Sequence, residues 1–392
     1  MIAMKKPIHV WFEEGVEAGA SVRRLVFEGA EGRRKPRFDV WWRVPGVTGL
    51  PSPPVLDSLL AGHLLWAAKL GQNLVVHGPI SRGGLFNLGQ LLEMRRGLSP
   101  QRYPRPIELI PETVSSPRPE GDPGLAIAAL SAGLDSTFTV VRHARRLAGE
   151  ASYRLGGVVI VHGFDVKLDR ADQFAAMRQR VEPLARWLDL PLFTVVTNSK
   201  QAGGNSVWPH SAIPLTAAAL SLFSGRCGVG LVSGAAPHGS PRFGVSHPAV
   251  LDALVSNDSF HVVTDGGAFG RTDKIEALLP FPDVIKGIKV CWEGSDPSRN
   301  CGRCQKCVMT RLNFLAAGMP NPPCFDSPLS LEQIAALPLP DLSAARDLFR
   351  LCWNELKQRG CTGPEVALLE RRLRRVPPDR SLLAFLRKRK KP

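Results

Sequence analysis

Leu125-Ala126-Ile127-Ala128-Ala129-Leu130-Ser131-Ala132-Gly133-Leu134-Asp135-Ser136-Thr137 is the stretch on which the fold turns. Its first five residues are unbroken apolar, as in a strand buried on both faces. Gly133 marks a tight turn, and Phe138 to Leu147 then repeats its apolar residues at helical spacing. The first amides of a helix have no partner inside it, and the helix dipole places positive charge there. Ser131 and Ser136 add hydroxyl donors at the same place, so the turn suits an anion, a phosphate above all. The plainer reading is a serine-rich turn in which Asp135 merely caps the helix.

Strand-like and helix-like segments alternate from 125 to about 318. Strands are expected at 125–130, 157–161, 192–196, 229–232 and 260–264, with helices such as 171–188 and 210–223 between them. Continuous apolar strands alternating with helices predict an α/β fold, a parallel five-stranded sheet with helices on both faces. Such sheets bind ligands beyond the carboxyl ends of their strands. Ser131 to Ser136 lies there, as do His162 and Phe164 after the second strand and Ser233 and Gly234 after the fourth. His162-Gly163 also reads simply as a strand end with a turn. The loop holding Ala236-Pro237-His238-Gly239-Ser240 and Ser246-His247-Pro248 is a candidate substrate lip.

Outside this core, residues 1–111 read as a small N-terminal α+β domain. Three short strands near 9–12, 24–27 and 38–42 form an antiparallel meander, followed by a helix over 55–70, a strand at 73–77 and a helix from 84. Residues 112–124, rich in Pro, Ser and Gly, read as a linker. Residues 319–392 read as a helical C-terminal region.

The 392-residue chain has a net charge of +15 and hydrophobic and charged fractions of 44% and 22%. These fit a globular protein with ample core, and no apolar run is long enough to span a bilayer. With no signal-peptide core, the expected location is the cytoplasm. The charge favours polyanionic ligands, but the densest basic run, Arg387 to Lys391, is terminal. With two tyrosines and no aromatic-plus-basic strand motif, nucleic acid is not the favoured partner.

Eight cysteines in a reducing compartment point to metal or catalysis rather than disulfides. Cys301-Gly302-Arg303-Cys304-Gln305-Lys306-Cys307 contains two overlapping CxxC spacings, and Cys291 precedes them by ten positions after a strand-like 288–290. Cys291, Cys301, Cys304 and Cys307 are candidate ligands for a tetrahedral, structural Zn²⁺. An iron–sulfur cluster is the competing occupant. Gly270-Arg271-Thr272-Asp273-Lys274 opens another helix. A cation in a first turn opposes the dipole unless an anion meets it, which makes Lys274 and Arg271 candidates; an ordinary start capped by Thr272 or Asp273 is the alternative.

Ser131-Ala132-Gly133-Leu134-Asp135-Ser136 resembles the Ser-Gly-Gly-x-Asp-Ser loop of the ATP pyrophosphatase (PP-loop) family, with Ala132 in place of the first glycine. The helix-opening Lys274 resembles that family's late lysine. With Cys-x9-Cys-x2-Cys-x2-Cys added, residues 124–318 look like the 7-cyano-7-deazaguanine synthases and their paralogues. A Gly-Tyr-Pro-Asp-Cys-Arg-like substrate segment is not present. The resemblance implies an adenine nucleotide α-hydrolase-like fold and an ATP-dependent ligase that adenylates a carboxylate, of deazapurine type, and passes it to a nitrogen nucleophile, ammonia or a protein amine, to form an amide or nitrile. It implies ATP on Ser131, Ala132, Gly133, Leu134, Asp135 and Ser136. Mg²⁺ would lie at Asp135, and Lys274 and Arg271 would face the departing pyrophosphate. The flanking regions offer surface for a protein partner or a second copy of the chain. A tRNA-modifying PP-loop enzyme and a non-catalytic nucleotide-binding subunit of a defence or biosynthetic assembly are the alternatives.

Overall fold

The computed structural model describes residues 5–31, 37–234, 249–291, 293, 294, 296, 298–339 and 344–374. The loop residues 235–248, with the expected substrate lip, and the basic run 387–391 lie outside them. Two compact units are present, 1–269 and 270–392.

The first unit starts with the expected meander, β1 (Ile8–Glu17), β2 (Ala20–Glu28) and β3 (Arg37–Pro45), all antiparallel. Ala18 and Gly19 turn the first hairpin at φ 46° and 74°, the left-handed pair that matches strand twist. β4 (Leu74–Ser81) then pairs parallel with β1, and β5 (Leu109–Ser115) parallel with β4. The later strands are β6 (Asp122–Ala129), β7 (Arg154–His162), β8 (Leu192–Thr197), β9 (Cys227–Ser233) and β10 (His261–Asp265). They form a parallel block in the order β10-β9-β6-β7-β8.

The five-stranded block is half of a larger sheet. β3 pairs antiparallel with β8 through Trp42 opposite Thr197 and Arg43 opposite Val196. The result is one ten-stranded, mostly parallel sheet, β10-β9-β6-β7-β8-β3-β2-β1-β4-β5. This corrects the expectation of a separate sheet in residues 1–111. Two strands that would each present an unpaired edge satisfy one another instead. The expected linker also differs. β5 runs from Leu109 through Pro111 to Ser115, into the expected linker, and β6 has already begun at Asp122. β5 is the outermost strand, where a proline without an N–H is tolerated.

Helices of this unit are α1 (Asp57–Leu70), α2 (Arg82–Leu98), α3 (Leu134–Ala144), α4 (Ala171–Trp187) and α5 (Trp208–Ser221). α1 is buried on every side from Asp57 to Ala68. It packs on α5 at Gly62, where a Cβ would stand 2.3 Å from Leu215 Cδ2. One apolar core accordingly runs from Phe27 and Trp42 through Leu64 to Ala218 and Val195.

The second unit holds α6 (Arg271–Leu278), α7 (Pro282–Gly287), α8 (Gln305–Ala316), α9 (Leu331–Ala335), α10 (Ala344–Gln358) and α11 (Pro364–Arg374). Its core gathers Val308, Leu312, Ile334, Phe349, Leu356 and Leu369. The described part of the C-terminal region is helical, as its periodicity predicts. The compact unit begins at 270, however, and so takes in the cysteine cluster. Residues 288–290 are extended without strand pairing. Among the described residues no helix is long and apolar enough to cross a membrane.

Asp57, 1% exposed, carries a carboxylate into the first unit's core, where Ser81 donates to Oδ1 from its hydroxyl at 2.8 Å and from its N–H at 3.1 Å. Burial outweighs these bonds and pushes the Asp57 carboxyl up from 3.8 to about 6. The folded state therefore holds a proton that the unfolded chain releases, and stability falls as pH rises from about 4 through about 6. Asp57→Asn is expected to remove that fall, on the order of 2–3 kcal/mol, in urea unfolding curves measured across the window.

Candidate functional site

The Ser131–Ser136 loop stands at the carboxyl end of β6. The chain runs outward from β6 to β7 and β8, then returns to β9 and β10 on the other side. The strand order therefore turns between β6 and β9, and a crevice opens at the carboxyl ends of such a pair. Ser131 N–H donates to Ser136 Oγ at 3.1 Å, and the two hydroxyls lie 3.1 Å apart. Ser136 Oγ also donates to Gly133 O at 3.2 Å, and Gly133 N–H reaches Ser131 Oγ at 3.4 Å. Gly133 precedes α3 in an extended conformation, so Leu134, Asp135 and Ser136 form the first helical turn.

Ala132 sits at φ 62°, left-handed backbone in which a methyl is strained. The residue is 2% exposed, so the methyl is packed into the protein rather than standing in the mouth of the loop.

Other strand ends gather beside it. Ser233 ends β9 and Gly234 follows it, and Gly234 N–H donates to Asp265 O at the end of β10, 2.8 Å away. A Cβ on Gly234 would stand 3.2 Å from that same oxygen, which is tight. His162, at the end of β7, turns its ring inward: Nε2 is 2.9 Å from Lys167 O, and the ring stacks on Phe174 at 4.3 Å. Phe164 lies against Trp208 at 5.4 Å, and Lys200 Nζ donates to Phe164 O while sitting 3.8 Å above the Trp208 ring.

Asp265 was not foreseen. It is buried, pairs with Arg142 and lies 3.4 Å from His143 Nε2 on α3. Burial opposes its charge, but His143, Arg142 and Thr139 together hold the carboxyl below its usual range. Arg142 also covers Phe269, which touches Phe138. These contacts brace α3, and so the loop, against β10. Its place at a strand's carboxyl end was the one signal for Asp265 in the sequence.

In the second unit, Arg271 and Lys274 occupy the first turn of α6, with Lys274 only 1% exposed. The helix starts on Gly270, whose N–H donates to Asp273 at 2.8 Å. Asp273 and Glu276 both pair with Arg359, and the Thr272 hydroxyl donates to Glu355. Asp273 thus caps the helix from its third position, as the ordinary-start alternative expects, whereas Thr272 does not.

Cys291, Cys301, Cys304 and Cys307 converge, with all four sulfurs within 4.8 Å of one another. Cys291 and Cys307 sulfurs are 3.3 Å apart, and Cys301 and Cys307 sulfurs 3.8 Å. A tetrahedral ion with Zn–S bonds near 2.3 Å needs sulfurs about 3.8 Å apart, so the four fit a single ion such as Zn²⁺. An iron–sulfur cluster would need room for its own iron and sulfide between the ligands. Cys304 is the cap residue of α8 and Cys307 lies in its first turn, where the dipole favours thiolate. Among the four thiols, hydrogen bonds from Cys304 and Cys307 hold Cys291 far below its ordinary range, and the same bonds push Cys304 up to about 12 and Cys307 higher still.

Two residues that sequence reasoning missed build this centre. Buried Asn300 donates to Ile288 O at 3.0 Å and Cys324 O at 2.8 Å, and accepts from Val290 N–H at 2.9 Å. It thereby fixes the approach to both Cys291 and Cys301. Buried Arg311 donates to Gly302 O at 3.1 Å, Gln333 Oε1 at 3.0 Å and Ser327 O. It stands one helical turn after Cys307, and its charge offsets part of the surplus of four thiolates over one dication.

No family model matches the sequence, and neither a curated protein nor a solved structure matches the chain. The PP-loop resemblance thus rests on the residues themselves.

Relief of the left-handed strain should make Ala132→Gly more stable by up to about 1 kcal/mol, the larger unfolded-state entropy of glycine offsetting part of the gain. A denaturant midpoint at or below that of the wild type would contradict the strained turn. The purified chain is expected to contain one zinc per molecule by elemental analysis. Cys307→Ser should lose it and lower the melting temperature of residues 270–392.

Proposed function

We propose that this chain is an ATP-dependent, AMP- and pyrophosphate-forming ligase that activates a carboxylate by adenylation. The observation that carries the reading is the Ser131–Ser136 loop at the carboxyl end of β6, where the strand order turns between β6 and β9. The start of an 11-residue helix and the Ser131 and Ser136 hydroxyls, 3.1 Å apart, stand together there, a donor set that suits a polyphosphate. The packed methyl of Ala132 supports a loop that keeps this shape without its usual first glycine.

In this reading a carboxylate oxygen attacks the α-phosphorus of ATP, and the bond to the β-phosphate breaks. Pyrophosphate leaves with its charge on the Ser131, Gly133 and Ser136 donors. A nitrogen nucleophile, ammonia or a protein amine, then attacks the acyl carbon, and AMP departs. Asp135 would hold Mg²⁺, which neutralises the polyphosphate. Most of the acceleration would come from positioning and charge stabilisation, as in other phosphorus-centred transfers. No cysteine acts as a nucleophile, and Zn²⁺ in the four-cysteine site is structural. The favoured acid is of 7-deazaguanine type, on the strength of the combined loop and cysteine spacing.

ATP–pyrophosphate exchange with 7-carboxy-7-deazaguanine tests the proposal. Exchange should depend on the acid, and Ser136→Ala should slow it by about 10²-fold, as loss of one preorganised donor does elsewhere. ATP binding without exchange for any deazapurine acid would leave a nucleotide-binding subunit. Tight, salt-sensitive tRNA binding would favour the tRNA-modifying reading.

A further inference from the structure

The four cysteines of the second unit's metal centre differ in their access to solvent. Cys291 and Cys307 are 1% and 0% exposed, whereas Cys301 and Cys304 are half-buried. Those two also share a tight turn. Gly302 between them takes φ 72°, and the Cys304 N–H reaches back to Cys301 Sγ at 3.4 Å. Their sulfurs lie within 4.8 Å of each other, so rotation of the two side chains and a small local shift bring them to bonding distance. Around a single ion all four cysteines are thiolates, the form that oxidants attack. An accessible thiolate with a second one beside it is the usual target of peroxide. Cys301 and Cys304 alone meet both conditions. Cys361, the third half-buried cysteine, is not in the cluster, and Cys227, Cys324 and Cys352 are buried.

We propose that Cys301 and Cys304 are a redox modification site, in which hydrogen peroxide closes a disulfide between them and the centre gives up its Zn²⁺. The proposal rests on the zinc reading of the four-cysteine site and is independent of the ligase reading. Hydrogen bonds that do not involve the ion make the change reversible. Asn300 ties Ile288, Val290 and Cys324 together, and Arg311 ties Gly302 to Gln333 and Ser327. These bonds keep residues 288–302 beside the start of α8 when the ion has left, so reduction of the disulfide restores four converging thiols.

One of the two thiolates attacks a peroxide oxygen. The O–O bond breaks, leaving a sulfenic acid on that cysteine and releasing hydroxide. The neighbouring thiolate then attacks the oxidised sulfur, the S–S bond forms and a second hydroxide departs. The two sulfurs lose two electrons in all, and one hydrogen peroxide becomes two hydroxides, which the buffer protonates to water. Cys291 and Cys307 are then the only ligands left, half the set that a structural zinc requires, and they cannot hold the ion against a chelator.

The test treats the full, zinc-loaded chain with rising hydrogen peroxide. A chromogenic chelator reads the zinc released, and peptide mapping by mass spectrometry reads the state of each cysteine. One zinc should appear for each disulfide formed, with Cys301 joined to Cys304 while Cys291 and Cys307 stay reduced. Dithiothreitol with added Zn²⁺ should restore the zinc content. Cys361→Ser should release zinc at the same peroxide concentration as wild type, because Cys361 takes no part. A first disulfide that includes Cys291 or Cys307, zinc still bound once Cys361 is fully oxidised, or a loss that dithiothreitol does not reverse would each overturn the proposal. A purified chain that takes up no zinc would overturn the zinc reading instead, and the release of metal with it.

Discussion

Two short backbone pairings between β3 and β8 set the architecture of the first unit. Without them, the parallel block would end at β8 and the meander at β3, each with a row of open N–H and C=O groups. Side chains reinforce the join. The Thr197 hydroxyl donates to Trp41 O at 2.7 Å, and Asn198 Oδ1 accepts the Trp41 N–H at 2.9 Å. The same seam brings α1 onto α5, possible only because Gly62 leaves room for Leu215. Ten strands and their shared core follow from that contact, and the Ser131 loop is held by the whole of it rather than by its own five strands.

Local patterns made the elements legible. The buried run 125–129, the hairpin alternation near 9–42 and the helical spacing over 55–70 each encode burial along one segment. Those segments became β6, β1 to β3 and α1. The β3–β8 seam was not legible, because it joins residues about 155 apart whose side chains follow no pattern that distinguishes an edge from an interior strand. Prolines between 111 and 124 misled for a related reason. Pro111 is as compatible with an outer strand as with a linker, and sequence cannot say which strand is outermost.

The cysteine centre was legible at its ligands and not at its supports. CxxC spacing encodes thiolate geometry directly, because a turn and a helix start bring such positions together. Asn300 and Arg311 act through backbone carbonyls as far away as Cys324 and Ser327. A carbonyl acceptor exists at every residue, so nothing in the composition of those segments marks the one that is used. The burial of Arg311 lowers its proton affinity, and its nearness to Cys307 raises it again. The guanidinium and the thiolates therefore favour each other's charged forms.

The first unit carries two serine-and-glycine turns from strand to helix, and they handle the helix dipole in opposite ways. After β4, Ser81-Arg82-Gly83-Gly84 opens α2, and protein carboxylates lie against the turn. Asp258 accepts the Gly83 N–H at 3.2 Å, and a Cβ on Gly84 would fall 1.5 Å from Asp57 Oδ1. That helix start is neutralised from within and closed by contact. After β6, the amides of Ser131 and Gly133 are held by the hydroxyls of Ser136 and Ser131. Hydroxyls are neutral and rotate, so they can turn from the amide to an arriving oxygen and donate to it, whereas a carboxylate would repel the same oxygen. Equal helix-start physics thus yields one turn closed by carboxylates from elsewhere in the chain and one whose amides are held by hydroxyls of the turn itself.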